Sequence, residues 1–306
     1  MDWTHRLRLR NLQMLLSLAE TGNMSQTAAA LNTTQPGLSK WLRELEEDIG
    51  LPLFERHARG LRPTPYGESL IEHARRIEAQ LDSARDDLQA LRDGGSGLVV
   101  IGTSGASAAD TVPLAVVRLL KAMPGAQIRL VESTMDELMS RLARGELDIV
   151  VGRSAPELQD ARLRTEALYM EPIHFVARPK HPLLAMAALD WNALESFQWV
   201  IWPRGTPIRN ALESALAAAG RPLPARCVES NSTILNLTLL NHTNMIGVAS
   251  HRTARRLEDL GALRIVPLRL SGFGSVSMYW REDSFRRGAV VAALDALREA
   301  GGGGSV

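Results

Sequence analysis

Residues 25–45 read SQTAAALNTTQPGLSKWLREL. The run Ser25–Leu31 is short and Ala-rich, which predicts a helix whose small side chains Ala28, Ala29 and Ala30 let a second helix cross closely. A polar break, Asn32-Thr33-Thr34, follows, and a second helix is predicted to open on Gln35-Pro36-Gly37-Leu38-Ser39-Lys40. Thr33 or Thr34 can cap it, and Pro36 suits a first-turn position where no N–H bond is lost. Two helices joined this tightly form a helix-turn-helix, whose second helix enters the major groove of DNA. The first turn of that helix carries Gln35, Ser39 and Lys40, with Arg43 one turn further on. All can hydrogen-bond to base edges or phosphates.

Working outward, Leu9–Glu20 reads as an amphipathic helix with Leu12, Leu15, Leu16 and Ala19 on one face, suited to pack behind the two reading helices. Downstream, Arg59-Gly60-Leu61-Arg62-Pro63-Thr64 reads as the tip and return of a hairpin, a wing beside the helices. From Tyr66 to Arg92 the positions Leu70, Ala74, Ile77, Leu81, Ala84, Leu88 and Leu91 alternate four and three apart, a coiled-coil stripe with charges on the other faces. At 1.5 Å per residue this helix is roughly 40 Å long. Homodimerisation through the seam is the simplest account of it; packing on its own domain is the alternative.

The N-terminal segment resembles the winged helix-turn-helix of LysR-type transcriptional regulators. The residues that carry the resemblance are Ala28, Ala29, Leu31, Thr34-Gln35-Pro36-Gly37-Leu38-Ser39, Leu42 and Leu45-Glu46, with Gly50-Leu51-Pro52-Leu53-Phe54-Glu55-Arg56 and Thr64-Pro65-Tyr66-Gly67 in the wing region. It covers the chain in length and layout and is most specific in the first 67 residues. The resemblance implies an imperfect palindromic site of the T-N11-A kind, a tetramer built from two dimers, and effector binding that alters the placement of the dimers and the DNA bend.

Length and composition are compatible with this. A chain of 306 residues suggests about two domains. No apolar run approaches the ~18 residues that span a bilayer, and the N-terminus lacks the apolar stretch of a signal peptide. The single cysteine, Cys227, excludes an intramolecular disulfide and a cysteine-rich metal site. A cytoplasmic setting is expected, with Cys227 as a small packed side chain. Net charge is only +1, and residues 1–65 hold eight Lys/Arg against seven Asp/Glu. The charge is patterned, however. Lys40 and Arg43 precede the cluster Glu44, Glu46, Glu47 and Asp48, and Arg56, Arg59 and Arg62 lie in the wing. DNA needs only one positive face.

Beyond Asp93-Gly94-Gly95-Ser96-Gly97, a flexible hinge by composition, the texture changes. Strands near Leu98–Ile101, Gln127–Val131 and Asp148–Val151 alternate with helices near Pro113–Met123 and Met135–Arg144. A second set has strands near Ile173–Arg178, Trp199–Trp202, Ala225–Glu229, Ile246–Ala249 and Leu263–Pro267. The alternation predicts parallel sheet with helices on both faces. The layout resembles the two-lobed, type-II periplasmic-binding-like effector domain of the same family, and Gly145–Gly152 matches its G-x-L-D signature. The family's Gly-hydrophobic-Gly turn is replaced by Asn244-Met245-Ile246-Gly247, where Asn244 is expected to supply the left-handed conformation.

The expected organisation is a winged helix-turn-helix at 1–65, a linker (dimerisation) helix at 66–92, the hinge at 93–97, lobe 1 at 98–168 and 269–301, lobe 2 at 169–268, and a disordered tail at 302–306. In the DNA-binding set, Gln35 and Ser39 read bases and Pro36 makes an apolar contact. Lys40, Arg43 and Thr64 hold phosphates, Arg59 enters the minor groove, and Ser25, Thr33 and Thr34 complete the set. Ligands of α/β sheets bind beyond the C-terminal ends of strands. There, the candidates for a small, anionic effector are Ser104, Ser107, Thr134, Arg204, Thr206 and Ser232; each hydroxyl has the alternative of capping its own helix. Trp199, Trp202 and Trp280 either line this cleft or pack in cores. The seven histidines show no metal-ligand spacing, and Ser104-Gly105 completes no G-x-S-x-G elbow. No catalytic residue, metal or cofactor is expected besides the effector. The expected partners are double-stranded promoter DNA and further copies of the chain, with RNA polymerase a candidate and no membrane. A solute-binding protein and an α/β metabolic enzyme are the alternatives.

Overall fold

The computed structural model describes residues 3–57, 60–92, 97–153, 162–186, 189–268, 270, 273–282, 284 and 287–302. The chain divides into two compact units, the first made of Met1–Leu88 with Arg144–Glu146. In it, α1 (Leu9–Thr21), α2 (Met24–Ala30) and α3 (Gln35–Ile49) precede a hairpin of β1 (Phe54–His57) and β2 (Gly60–Pro63), and α4 (Pro65–Arg92) follows. The apolar stripes of α1 and α3 meet in a core of Leu12, Leu15, Leu16, Leu18, Leu42 and Leu45, closed by Leu53, Phe54, Ile71 and Ala74. Each such leucine contributes roughly 1.5–3 kcal/mol by leaving water.

Local chemistry sets the helix ends. Asn23 caps α2, its Oδ1 accepting from the N–H groups of Ser25 and Gln26 at 2.9 and 3.1 Å. Thr34, the nearer of the two candidate threonines, caps α3 and accepts from Gly37 N–H at 3.2 Å. Asn32, at φ 51°, makes the left-handed turn between these helices, a conformation asparagine tolerates. Gly22 ends α1 at φ 60°, and its carbonyl accepts from Leu61 N–H at 2.8 Å, which ties the wing to α1.

The seam on α4 divides. Ile71 and Ala74 are buried in the unit's own core and Leu70 packs against it. Ile77, Leu81 and Leu88 are exposed, Leu88 at 68%. Packing on its own domain therefore accounts for the first turns of the helix only. The side chain of Leu91 lies outside the described residues, as do residues 93–96 of the hinge and 303–306 of the tail; Gly302 is the last residue of a helix.

The second unit holds the rest of the fold. Its strands are β3 (Leu98–Thr103), β4 (Gln127–Glu132), β5 (Ile149–Arg153), β6 (Leu163–Ala177), β7 (Trp199–Ile201), β8 (Cys227–Glu229), β9 (Ile246–Ser250), β10 (Arg264–Ile265) and β11 (Phe273–Arg281). The helices are α5 (Gly105–Ala108), α6 (Thr111–Ala122), α7 (Met135–Arg144), α8 (Trp191–Glu195), α9 (Pro207–Ala218), α10 (Thr233–His242), α11 (His251–Asp259) and α12 (Gly288–Gly302). The strand order is β4-β3-β5-β11-β6-β9-β7-β8, with β10 also on β6.

The pairing is parallel within β4-β3-β5 and within β9-β7-β8. β11 and β6, however, run antiparallel to their neighbours, so the expectation of an all-parallel sheet is corrected at the centre. Strand β6 starts ten residues before the expected strand. It pairs with β11 through Pro172 and with β9 from Ile173. Lobe 1 thus passes into lobe 2 between those residues rather than at 168/169. Each lobe has its own core, one around Ile101, Val151, Met278 and Leu297, the other around Phe175, Trp199, Leu212 and Ile246. Cys227 is exposed on the edge strand β8 rather than packed. Among the described residues, no helix is long and apolar enough to cross a membrane.

Candidate nucleic-acid interface and effector cleft

The first turn of α3 is polar and open. Gln35, Pro36, Lys40 and Arg43 are exposed and Ser39 is half-buried. Gln35, Ser39 and Arg43 stand four residues apart and so share one face. The opposite face buries Leu38, Leu42 and Leu45, which fixes the exposed side chains on a rigid support. The unpaired N–H groups at the helix start add partial positive charge suited to phosphate. Of the late acidic cluster, Glu44 pairs with Lys40 at 3.6 Å and Asp48 with Arg6 at 2.9 Å. Glu46 points inward, its Oε1 accepting from Leu53 and Phe54 N–H at 2.6 and 3.0 Å. It fastens the wing to α3, a role the charge run concealed. Ser25 is exposed in the first turn of α2, and Thr33 is half-buried beside the turn. Arg59 lies outside the described residues.

Thr64 is corrected. It is 8% exposed, its hydroxyl donates to the Pro52 carbonyl at 2.6 Å, and its oxygen accepts from Gly67 N–H at 3.1 Å. With both capacities used inside the fold, it caps α4 and does not reach a phosphate.

In the second unit, the loops after β3, β4, β7 and β8 gather as expected of strand ends. Ser133 N–H bonds the Thr103 carbonyl at 3.3 Å and Ser230 N–H bonds the Ile201 carbonyl at 3.0 Å. Across the lobes, the benzenoid ring of Trp202 lies 3.6 Å from where a Cβ on Gly105 would sit. The Trp202 indole N–H donates to Val248 O at 3.0 Å, so this tryptophan stands in the cleft. Trp199 and Trp280 are core residues. Arg209, 2% exposed, holds the Trp202 carbonyl at 3.0 Å and pairs with Glu213 at 2.7 Å. It braces the 202–206 loop, although its sequence position on α9 looks like any surface arginine.

The cleft candidates separate by what their hydroxyls already do. Ser107 is fully buried and bonds Thr103 and the Val151 carbonyl at 2.9 and 2.7 Å; it is a structural hydroxyl and is removed from the ligand set. Thr206 donates to Pro203 O at 2.7 Å, and Ser232 caps α10 by accepting from Leu235 N–H at 3.3 Å. Both are half-buried. Ser104 is half-buried beside Gly152, whose missing Cβ would fall 2.4 Å from its hydroxyl. Thr134 and Arg204 are exposed, and Arg204 makes no hydrogen bond or ion pair among the described residues. The turn before β9 does not use a left-handed Asn244. Instead its Oδ1 accepts from Arg178 at 2.8 Å and its carbonyl meets His181 Nε2 at 3.0 Å, so side-chain bonds replace the glycine.

Residues 9–68 match the family model described as "Bacterial regulatory helix-turn-helix protein, lysR family", and residues 92–302 match "LysR substrate binding domain". The chain is 33% identical over 297 residues to the HTH-type transcriptional regulator GbpR of Azospirillum brasilense, covering 96% of this chain and 87% of that one. Among solved structures, full-length CbnR complexed with its target DNA aligns with a TM-score of 0.67 at 21% identity, over 96% of this chain and 100% of that one. Full-length LysG of Corynebacterium glutamicum with bound effector Arg aligns at 0.63 and 17% identity, over 96% and 98%. The relatives are transcription regulators rather than enzymes. The chain belongs to the LysR family of transcriptional regulators, with a DNA-binding helix-turn-helix and an effector-binding domain.

Proposed function

We propose that this regulator reads imperfect palindromic promoter sites as a homo-oligomer in the cytoplasm and answers to a small anionic metabolite in its interlobe cleft. The observation that carries the DNA reading is the first turn of α3. Gln35, Pro36 and Lys40, with Arg43 one turn further on, are exposed over a buried apolar face, and Gln35, Pro36 and Arg43 are unused by the fold itself. In a dimer, two such helices would meet half-sites about one helical turn apart.

The exposed part of the α4 seam, Ile77, Leu81 and Leu88, suits a second copy of α4. It adjoins a groove lined by Leu9, Leu12, Gln13, Glu78, Leu81 and Asp82. A tetramer would need a second surface. The effector domain exposes apolar residues that suit it, Leu114, Val117 and Leu120 on α6, Leu130 on the edge strand β4, and Ile234 and Leu235 in the first turn of α10. RNA polymerase is the further partner that a promoter-bound regulator meets.

For the effector, Arg204 offers an unused cation and Ser104, Thr134, Thr206 and Ser232 offer hydroxyls at the loops beyond the strand ends, with Trp202 across from Gly105. This lining suits a carboxylate with further hydroxyl or ring groups.

Capture of genomic fragments by the purified protein at ~150 mM salt, followed by sequencing, tests the DNA reading. A discrete set sharing an imperfect palindrome is expected; diffuse, salt-sensitive capture would contradict it. Titration calorimetry of the full chain with aromatic acids, keto acids and sugar acids tests the effector reading, which fails if only neutral compounds bind.

A further inference from the structure

Helix α11 of lobe 2 carries Arg252 in its first turn, where the helix dipole disfavours a cation. The guanidinium leaves its own lobe. Nη1 forms an ion pair with Asp110 at 3.1 Å and donates to Thr111 Oγ1 at 3.4 Å and the Ala300 carbonyl at 3.2 Å. Nη2 donates to the Gly301 carbonyl at 2.9 Å. Asp110 and Thr111 begin α6 and Ala300 and Gly301 end α12, so one side chain from lobe 2 joins two helix termini of lobe 1. Both termini carry the sign it needs, an acidic residue on one and the carbonyl-rich end of a helix on the other.

The bridging strand β6 completes the site. The guanidinium carbon lies 3.8 Å above the Tyr169 ring, and the Tyr169 hydroxyl bonds Thr111 at 2.6 Å. Burial pushes the Tyr169 phenol up to about 12. Glu171, 1% exposed, accepts from the backbone N–H of Arg252 at 2.9 Å. Arg153 donates to the Glu171 carbonyl at 2.8 Å.

A half-buried ion pair of this kind gives little net stability. What it does give is geometry. A planar fork with several fixed donors is satisfied at one lobe angle, and a few ångströms of separation take every bond out of range. Among the described residues, the covalent path between the lobes is the β6 crossing at Pro172–Ile173, and the Arg252 contacts lie close to it in the chain, at Tyr169 and Glu171.

We propose that Arg252 is an interlobe latch, a positioning residue that holds the effector domain at one lobe angle and so sets the shape of the cleft. The inference extends the effector reading, since a fixed angle biases which cleft an incoming ligand meets. Its test uses no effector, so the two readings fail separately.

The experiment places spin labels on the full chain at E137C in lobe 1 and K180C in lobe 2, both exposed, with Cys227→Ser removing the native thiol. Dilution with excess unlabelled protein leaves one labelled protomer per assembly, and pulsed dipolar spectroscopy reads the interlobe distance. The Arg252 chain should give one narrow distance. Arg252→Gln should broaden it or add a second population, and Arg252→Lys, which keeps the charge but not the planar fork, should also leave it broader than in the Arg252 chain. An unchanged narrow distance in Arg252→Gln would overturn the latch. Should that variant not fold, Asp110→Asn loosens only the lobe 1 end; the same broadening is expected of it, and an unchanged peak overturns the proposal equally.

Discussion

The two stretches Thr34-Gln35-Pro36-Gly37 and Thr64-Pro65-Tyr66-Gly67 open their helices in the same way. In each a threonine caps the helix by accepting from the glycine N–H three residues on, at 3.2 and 3.1 Å, and a proline sits in the first turn. Their surroundings differ. A Cβ on Gly37 would meet only side-chain hydroxyls, that of the cap at 3.0 Å and that of Thr33 at 3.8 Å, whereas a Cβ on Gly67 would fall 2.0 Å from the Leu53 carbonyl. The first helix start faces outward and leaves its side chains free for a partner. The second is pressed against the wing and spends its groups on the fold. Shared capping chemistry therefore says where a helix begins but not what the residues around it are for; burial and the other bonds of the capping residue decide that.

Substitutions at matching positions test the contrast. Gly67→Ala should have the largest effect, about 3 kcal/mol, because the neighbour that must move is backbone; thermal unfolding of the N-terminal unit would show it. Gly37→Ala, by contrast, should change stability by less than about 1 kcal/mol, since the helix propensity of alanine offsets the crowded hydroxyl. Equal destabilisation by the two would break the comparison. Next in size, Thr64→Ala should cost about 2 kcal/mol, losing a cap and the bond to Pro52. Thr34→Ala should cost about 1 kcal/mol. Denaturant midpoints give both.

The smallest effect concerns pH and lies in lobe 2. His174 Nε2 and His251 Nδ1 are 2.9 Å apart. Burial lowers the pKa of each, reinforced for His174 by His251 and Arg255 against Glu258, and for His251 by Arg255 and Arg252. The unfolded chain then binds these protons more readily than the folded one, so stability should fall as pH drops below about 6.5. Melting temperature followed from neutral to mildly acidic pH should decline, and His174→Gln should flatten the decline; an unaltered slope would remove the pair from the account.

The N-terminal unit was largely legible because its signals are local. Apolar spacing, Ala-rich crossing residues, a Thr–Pro helix start and an adjacent wing lie within 67 residues. What escaped there depends on tertiary approach: Thr64 against Pro52, Glu46 against the wing, and Asn23 as a cap. The effector domain was legible in its alternation of strands and helices but not in its central pairing. Direction and length of β6 and β11 depend on partners more than a hundred residues away. The cleft hydroxyls illustrate the same limit. Ser107, Thr206 and Ser232 look alike in a sequence, and only their bonds show that Ser107 belongs wholly to the fold. Arg252 carried no local signal, since its partners come from three distant segments.

The most direct test of the claim that the open face of α3 reads DNA is site selection from a random duplex library, run in parallel on the unmodified chain and on Gln35→Ala. Relaxed preference at one position in each half-site is predicted, a loss of about 1–3 kcal/mol of discrimination, with melting behaviour unchanged. An identical selected sequence from both proteins would contradict the assignment of that helix turn as the reading surface.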